Sequence, residues 1–466
     1  VNTDTSKQWA ILTAVVVTQC AVPFMLSAVG VCLPSIGRDL GATAIQLTLV
    51  ESVFLAVNAM FLLPLGRAAD ILGRGGVFLA GLAIFTASSL SLAFAPDMAG
   101  FLALRAVQGF GGAMTLATGL ALLYDAFPPQ TRGRALGISV AGIYLGISGG
   151  PFLGGVITTH LGWRWVFYLG MLPCLVSLAI CLRNLDWRLR PKPGERFDWT
   201  GAVLCVVCIG LLTYGSAHTE SMAGWMSMAG GAATLAAFLL VERASPSPLL
   251  DLRLFVGNRA FSLGMAAMFL IYSSAFGASF LLSLYLQYGR NMNPSEAGLL
   301  LAFQPLVQCL VSPFTGRLSD RLPVHLMAGS GALFVAAGLL LASTLDAGSG
   351  QGTVIAVLAV VGLGIGLFAA PNMAGVMSGV APQRYGVASA LTGQTRTLGM
   401  TCGMVLITLV ISHFVGNRPL GAEVFAQYHT AMRLLLTLFG CTCLFGSVLA
   451  FLGAAKPHAA RSQEKP

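Results

Sequence analysis

Three observations predict that this chain is an all-α membrane protein. Hydrophobic residues make up 56% of its 466 residues and charged residues only 9%, where a soluble domain carries about 25% charge. Mean hydropathy is +0.81. Apolar runs of membrane-crossing length recur along nearly the whole chain, and a helix needs about 20 such residues to cross roughly 30 Å of hydrocarbon. The runs are continuous; a transmembrane barrel would instead alternate polarity over strands of about ten residues.

Taken in order, the first run spans Trp9 to Leu33. It is too long for a cleaved signal and ends without a small-residue cleavage site, so it reads as a retained helix. Five more follow, at Ala44–Leu65, Val77–Phe94, Phe101–Leu122, Ala135–Ile157 and Val166–Leu182. The fifth carries Gly142, Gly146, Gly150 and Gly154 at every fourth position, a smooth stripe that lets another helix approach closely. Pro151 removes a backbone hydrogen bond and bends it. Two shorter runs come next, Trp199–Tyr214 and Trp225–Val241. The last six are Phe261–Tyr285, Ala297–Pro313, Leu326–Ser343, Gly352–Met373, Val387–Ile411 and Thr430–Gly453, fourteen in all.

An internal repeat organises these runs. Pro64-Leu65-Gly66-Arg67-Ala68-Ala69-Asp70 closes the second, and Pro313-Phe314-Thr315-Gly316-Arg317-Leu318-Ser319-Asp320-Arg321 closes the tenth. Pro129-Gln130-Thr131-Arg132-Gly133-Arg134 follows the fourth, and Pro382-Gln383-Arg384-Tyr385-Gly386-Val387 follows the twelfth. Matching loops eight helices apart imply two six-helix halves, residues 1–190 and 259–466, with two extra helices inserted at 191–258. Both copies fall on one face, as parallel repeats about an axis along the membrane normal require.

Charge sets the orientation. With a cytoplasmic amino terminus, nineteen Lys and Arg fall on the inner side and four, Arg38, Arg164, Arg290 and Arg418, on the outer. The positive-inside rule then puts both termini in the cytoplasm. The net charge of +9 is accounted for by these loops, which meet anionic lipid headgroups, and calls for no nucleic-acid partner. Most of the ten Cys, lying within runs at no metal-ligand spacing, read as small apolar packing residues.

Of seventeen acidic residues, only Glu51 sits well inside a run. A carboxylate facing hydrocarbon costs several kcal/mol, so such a residue faces a bundle interior or a water path and marks proton or ion handling. Glu51 and Arg105 lie roughly 10 and 6 Å in from the same face at 1.5 Å per residue, close enough in depth to be neighbours. They form either a proton-coupling pair or a static ion pair that holds helices together.

The loop of Gly66, Asp70, Gly73 and Arg74, echoed around Asp320, resembles the signature loop of the major facilitator superfamily. Arg105-Ala106-Val107-Gln108-Gly109 is similar to the Arg-x-x-Gln-Gly motif of its proton-coupled members, and Gly146 to Gly155 with Pro151 to the Gly-Pro motif of its antiporters. Trp163-Arg164-Trp165 and Phe197-Asp198-Trp199 resemble connections of its fourteen-helix drug:proton antiporters. The resemblance implies a major facilitator fold, two six-helix bundles plus two extra central helices, rocking around a midplane cavity. It also implies a monomer in a plasma or bacterial inner membrane, exporting hydrophobic or amphipathic drug-like compounds against protons. One departure is that Met25 stands where the first helix of that subfamily usually carries an Asp, which puts a cationic substrate site in doubt.

From these motifs, Glu51 and Arg105 are expected to couple protons. Gly66, Asp70, Gly73, Arg74, Gly146, Gly150, Pro151, Gly154 and Asp320 are expected to gate, the glycine stripe as a surface where the halves meet. Gln19, Phe24, Met25, Phe54, Asn58, Tyr272, Phe276, Phe280, Gln304, Gln394 and Arg396 are the expected cavity side chains. Aromatics with few polar groups suit amphipathic solutes, whereas a basic Arg396 repels cations and receives an anionic or zwitterionic one. A narrow metabolite permease is therefore the alternative, and a non-transporting sensor or membrane enzyme the alternative of another class. No Gly-x-Ser-x-Gly, His-Glu-x-x-His or phosphate-cradling loop is present, and the six His fall at no ligand spacing. No cofactor is expected, and an ion gradient, H⁺ or Na⁺, is the expected drive.

Overall fold

The computed structural model describes residues 5–185, 197–245, 248–250, 252–319, 321–346, 348–378, 380 and 385–453. Among the described residues, fourteen helices long and apolar enough to cross a membrane are present at the fourteen expected places, and no strand occurs. The first six are α1 (Thr5–Leu40), α2 (Ala44–Leu72), α3 (Arg74–Leu92), α4 (Met98–Ala126), α5 (Pro129–His160) and α6 (Arg164–Asn184). Then come α7 (Trp199–Ala217), α8 (Met222–Ala244) and α9 (Arg259–Leu284), which runs on into a π turn at Tyr285–Gly289. The tenth crossing is broken at Ala302 into α10 (Pro294–Leu301) and α11 (Phe303–Leu318). It is followed by α12 (Val324–Ala342), α13 (Gln351–Ser378), α14 (Tyr385–Phe414) and α15 (Phe425–Leu452).

Most helices overrun the apolar stretch, and side-chain caps fix several of their starts. Thr43 and Gln46 form a reciprocal capping box at the start of α2. Asp97 accepts from Gly100 N at 2.7 Å to start α4, and Asp198 accepts from Gly201 N at 2.7 Å to start α7. Between α2 and α3 the chain turns on one residue, Gly73, at φ 113° and ψ 120°, a conformation that a side chain makes costly.

The packing repeats as the loops do. In the first bundle α1 lies on α5 and α6, α3 on α4 and α6, and α2 on α4. In the second, α9 lies on α14 and α15, α12 on α13 and α15, and α11 on α13. The seam between bundles is also repeat-symmetric: α2 packs on α14, and α5 on α10. The inserted α7 and α8 pair with each other, and α7 lies against both α2 and α14 through Ala56, Ala59, Cys205 and Leu398.

The glycine stripe corrects one expectation. Gly142, Gly146, Gly150 and Gly154 seat α5 on α1 inside the first bundle, not on the other half. A Cβ at Gly150 would lie 2.9 Å from Phe24 O, and one at Gly154 would lie 2.9 Å from the Ala28 Cα. The bundles meet on the neighbouring face of the same helix, where Gly155 and the Pro151 carbonyl abut Pro294 and Gly298 of α10. A helix with small residues on one stripe and its proline carbonyl turned aside offers two such surfaces, and spacing alone does not say which partner takes which.

Candidate functional site

Gly109 of α4 packs so closely on α2 that a Cβ there would lie 2.6 Å from Phe54 O. That approach places Arg105, one turn earlier, against the α2 backbone. Arg105 Nε donates to Val50 O at 3.0 Å and Nη2 lies 3.2 Å from Glu51 Oε2. Both side chains are fully buried, at 0% and 1% exposure. Nη1 donates to Gln108 Oε1 at 2.7 Å, and Gln108 Nε2 donates to Ser89 Oγ on α3 at 2.8 Å. The Phe54 ring lies 4.5 Å beneath the guanidinium. Glu51 Oε1, in contrast, is buried without a hydrogen-bond partner, turned toward α1 at Gly30. Two expected neighbours are thus in contact, held by Gln108 and by Ser89, which the sequence reading passed over.

Next to this pair the two bundles are bonded to each other. Thr408 of α14 donates to Thr48 Oγ1 at 2.9 Å and lies 3.2 Å from Ser52 Oγ, so its hydroxyl meets two from α2 that flank Glu51. From α9, Ser283 donates to Gly30 O at 2.7 Å, and Gln287, on the π turn, donates to Val31 O at 2.9 Å. Ala44 N donates to Arg418 O at 2.8 Å, and Ser295 N to Thr159 Oγ1 at 3.0 Å. Nearer the middle, Gln394 Nε2 donates to Ala59 O at 3.0 Å and Ser148 Oγ to Pro305 O at 3.4 Å. Among the described residues, every hydrogen bond between bundles lies from mid-depth toward the face opposite the chain ends. On the face bearing the chain ends, Leu63 of α2 packs against an apolar cluster around Leu254 and Phe261.

That same face carries the signature loop. Arg74 binds Asp70 Oδ1 through Nε and Nη2, each at 2.8 Å, and reaches Asp125 Oδ2 at the end of α4 at 2.7 Å. Asp125 was not anticipated; an acid at a helix end gives no sequence sign of which turn it faces. Gly66 packs near Ala117 of α4. Asp320 lies outside the described residues.

The expected cavity residues divide. Gln19, Met25, Phe54 and Asn58 are buried within the first bundle: Met25 sulfur packs on Gly170 of α6, Gln19 faces Gly119, and Asn58 donates to Gly109 O at 3.4 Å. Their polarity or bulk marked them as lining, whereas close glycines absorb them. Gln394 is buried on α2, and Phe280 in the apolar core. Phe24, Tyr272, Phe276, Gln304 and Arg396 remain partly exposed. Arg396 sits 5.9 Å from the Tyr272 ring centroid, and Tyr144 of α5 stands near them, beside Gln308.

The sequence pattern of the Major Facilitator Superfamily matches residues 15–404 and again 264–466. The chain belongs to the major facilitator superfamily. As a member, it is 33% identical to the cephamycin export protein of Amycolatopsis lactamdurans over 98% of this chain and 95% of that one. It is 29% identical to the tetracenomycin C resistance and export protein of Streptomyces glaucescens, over 88% and 77%. A riboflavin transporter of Clostridioides difficile is 27% identical over 79% and 81%. Among solved structures, a bacterial homolog of the human lysosomal transporter Spinster, in an inward-facing and unoccupied conformation, covers 97% of this chain and 98% of its own, with TM-score 0.70 and 15% identity. This major facilitator protein is an integral membrane transporter.

Proposed function

We propose that this transporter is a proton-driven antiporter that exports hydrophobic or amphipathic drug-like compounds by alternating access. The observation that carries the reading is the buried Glu51–Arg105 pair with one carboxylate oxygen unpartnered, set between the hydroxyls of the bundle seam. An ionised Glu51 is held by Arg105; a protonated one no longer neutralises the guanidinium and gains an O–H to donate. Either state redistributes bonds at α2 and α1, the helices that the second bundle grips through Thr408, Ser283 and Gln287. Proton occupancy and seam closure are coupled in that way. Relatives that export cephamycin and tetracenomycin C support the direction of transport.

In this reading both termini are cytoplasmic, as the basic loops require, in a plasma or bacterial inner membrane. The bonded face is then the outer one, and the Arg74–Asp70–Asp125 cluster is part of the inner gate. The rocking bodies are residues 1–190 and 259–466, the segment 191–258 riding at the seam, in a monomer.

Inverted vesicles containing the purified protein, given a pH gradient and a panel of cationic, neutral and anionic dyes, test it. Wild type accumulates dye, an uncoupler abolishes accumulation, and a Na⁺ gradient does not replace the pH gradient. Glu51→Gln exchanges dye across the membrane yet fails to concentrate it. Gradient-driven accumulation by Glu51→Gln equal to wild type sinks the role given to the carboxylate. The riboflavin transporter among the relatives, with the half-buried Arg396, favours a second reading, a permease for one anionic or zwitterionic metabolite.

A further inference from the structure

Arg396 lies about 17 Å along α14 from its first residue, at 1.5 Å per residue, well inside the membrane. Among the described residues it has no carboxylate partner and makes no hydrogen bond. A basic side chain at that depth is costly and marks a substrate or ion path unless it is neutralised. The other buried charges at the seam, Glu51 and Arg105, neutralise each other, so Arg396 leaves one uncompensated positive charge where the bundles meet. Its surroundings are flat and polar at once. The Tyr272 ring of α9 lies 5.9 Å from the guanidinium carbon, and Tyr144 of α5 stands nearby, beside Gln308 of α11. These groups come from both bundles, and all but Gln308 are partly exposed.

We propose that Arg396, Tyr272, Tyr144 and Gln308 form a binding site for a carboxylate carried on a planar aromatic compound. The guanidinium presents paired N–H donors in the plane that a carboxylate matches. The Tyr272 face offers a surface for the ring system, and Tyr144 and Gln308 offer a hydroxyl and an amide that can turn to the bound anion. A cation is repelled by Arg396 and finds no free carboxylate here, since Glu51 is engaged and Met25, at the position of the missing first-helix acid, is buried on Gly170. Ligand bound across both bundles also bridges the surfaces that must separate in transport. This site deepens the export reading above and rests on its premise that substrate enters between the bundles.

The test is equilibrium binding to the purified full chain without any gradient. The probes are anthracene-9-carboxylate, its methyl ester and anthracen-9-ylmethylammonium, followed by their fluorescence. Wild type is expected to bind the carboxylate about tenfold or more tighter than the ester, with the ammonium weakest. Arg396→Gln removes that preference while keeping ester binding, which reports that the site is folded; Arg396→Lys keeps a reduced preference. Equal binding of ester and carboxylate, an unchanged preference in Arg396→Gln, or no binding of any probe overturns the proposal. Because Glu51→Gln is expected to retain the carboxylate preference, the two ideas fail separately. Loss of gradient coupling with the preference intact leaves this site standing, and proton-driven export of cations with no carboxylate binding removes this site alone.

Discussion

At the scale of single residues, the Glu51–Arg105 contact is a buried pair whose members depend on one another. Two charges out of water hold only while both are present and their remaining bonds are made, and Arg105 makes three more, to Val50, Gln108 and the Phe54 face. Arg105→Ala is therefore expected to destabilise the protein by about 3–5 kcal/mol, read as a lower melting temperature in detergent. Adding Glu51→Gln to that variant should recover part of the loss, since no lone carboxylate remains. A double variant no more stable than Arg105→Ala alone argues against direct dependence. Glu51 was legible in the sequence as the one acid deep in an apolar run. Tyr144 was not, because a single aromatic between Gly142 and Gly146 looks like any helix residue until the neighbouring bundle supplies Gln308 and Tyr272.

At the scale of elements, short connections decide how helices meet. Gly73 is both the last cap of α2 and the entry to α3, and its φ of 113° lets Arg74 turn back onto Asp70 and across to Asp125. Gly73→Ala is expected to cost on the order of 1–3 kcal/mol through backbone strain and to loosen that cluster. Thermal unfolding measures the first effect, and faster proteolysis of the α2–α3 connection measures the second. A variant with wild-type stability and cleavage would show that the turn relaxes without loss. The helices themselves were readable from hydropathy to within a few residues of their apolar limits. Their ends were not, because caps such as Asp97, which starts α4 at Met98, carry the helix beyond the apolar run that begins at Phe101. The break at Ala302 and the π turn after α9 were equally hidden, being local changes in hydrogen bonding that leave the apolar pattern intact.

At the scale of the whole molecule, two repeat-related bundles are bonded to each other over half their depth. If alternating access works by opening that seam, a covalent tie across it stops transport. Thr48→Cys with Thr408→Cys, at hydroxyls now 2.9 Å apart, should cross-link on oxidation, abolish dye transport and regain it on reduction. Oxidised wild type is the control, and undiminished transport by fully cross-linked protein would contradict a moving seam.

Composition and apolar runs determined on their own that the chain is a fourteen-helix membrane protein, because the bilayer imposes one length and one polarity on every crossing. The repeated loops likewise led to the expectation of two related halves. Only the tertiary structure decided which helix each face meets. It turned the α5 glycine stripe onto α1, withdrew Gln19, Met25, Phe54 and Asn58 into the first bundle, and joined Arg396 to Tyr272 near Tyr144. The physical reason is that lipid and helix interiors are equally apolar, so hydropathy does not distinguish a lipid-facing side chain from one packed on a neighbour. That distinction comes from close van der Waals fit and hydrogen bonds between helices distant in sequence.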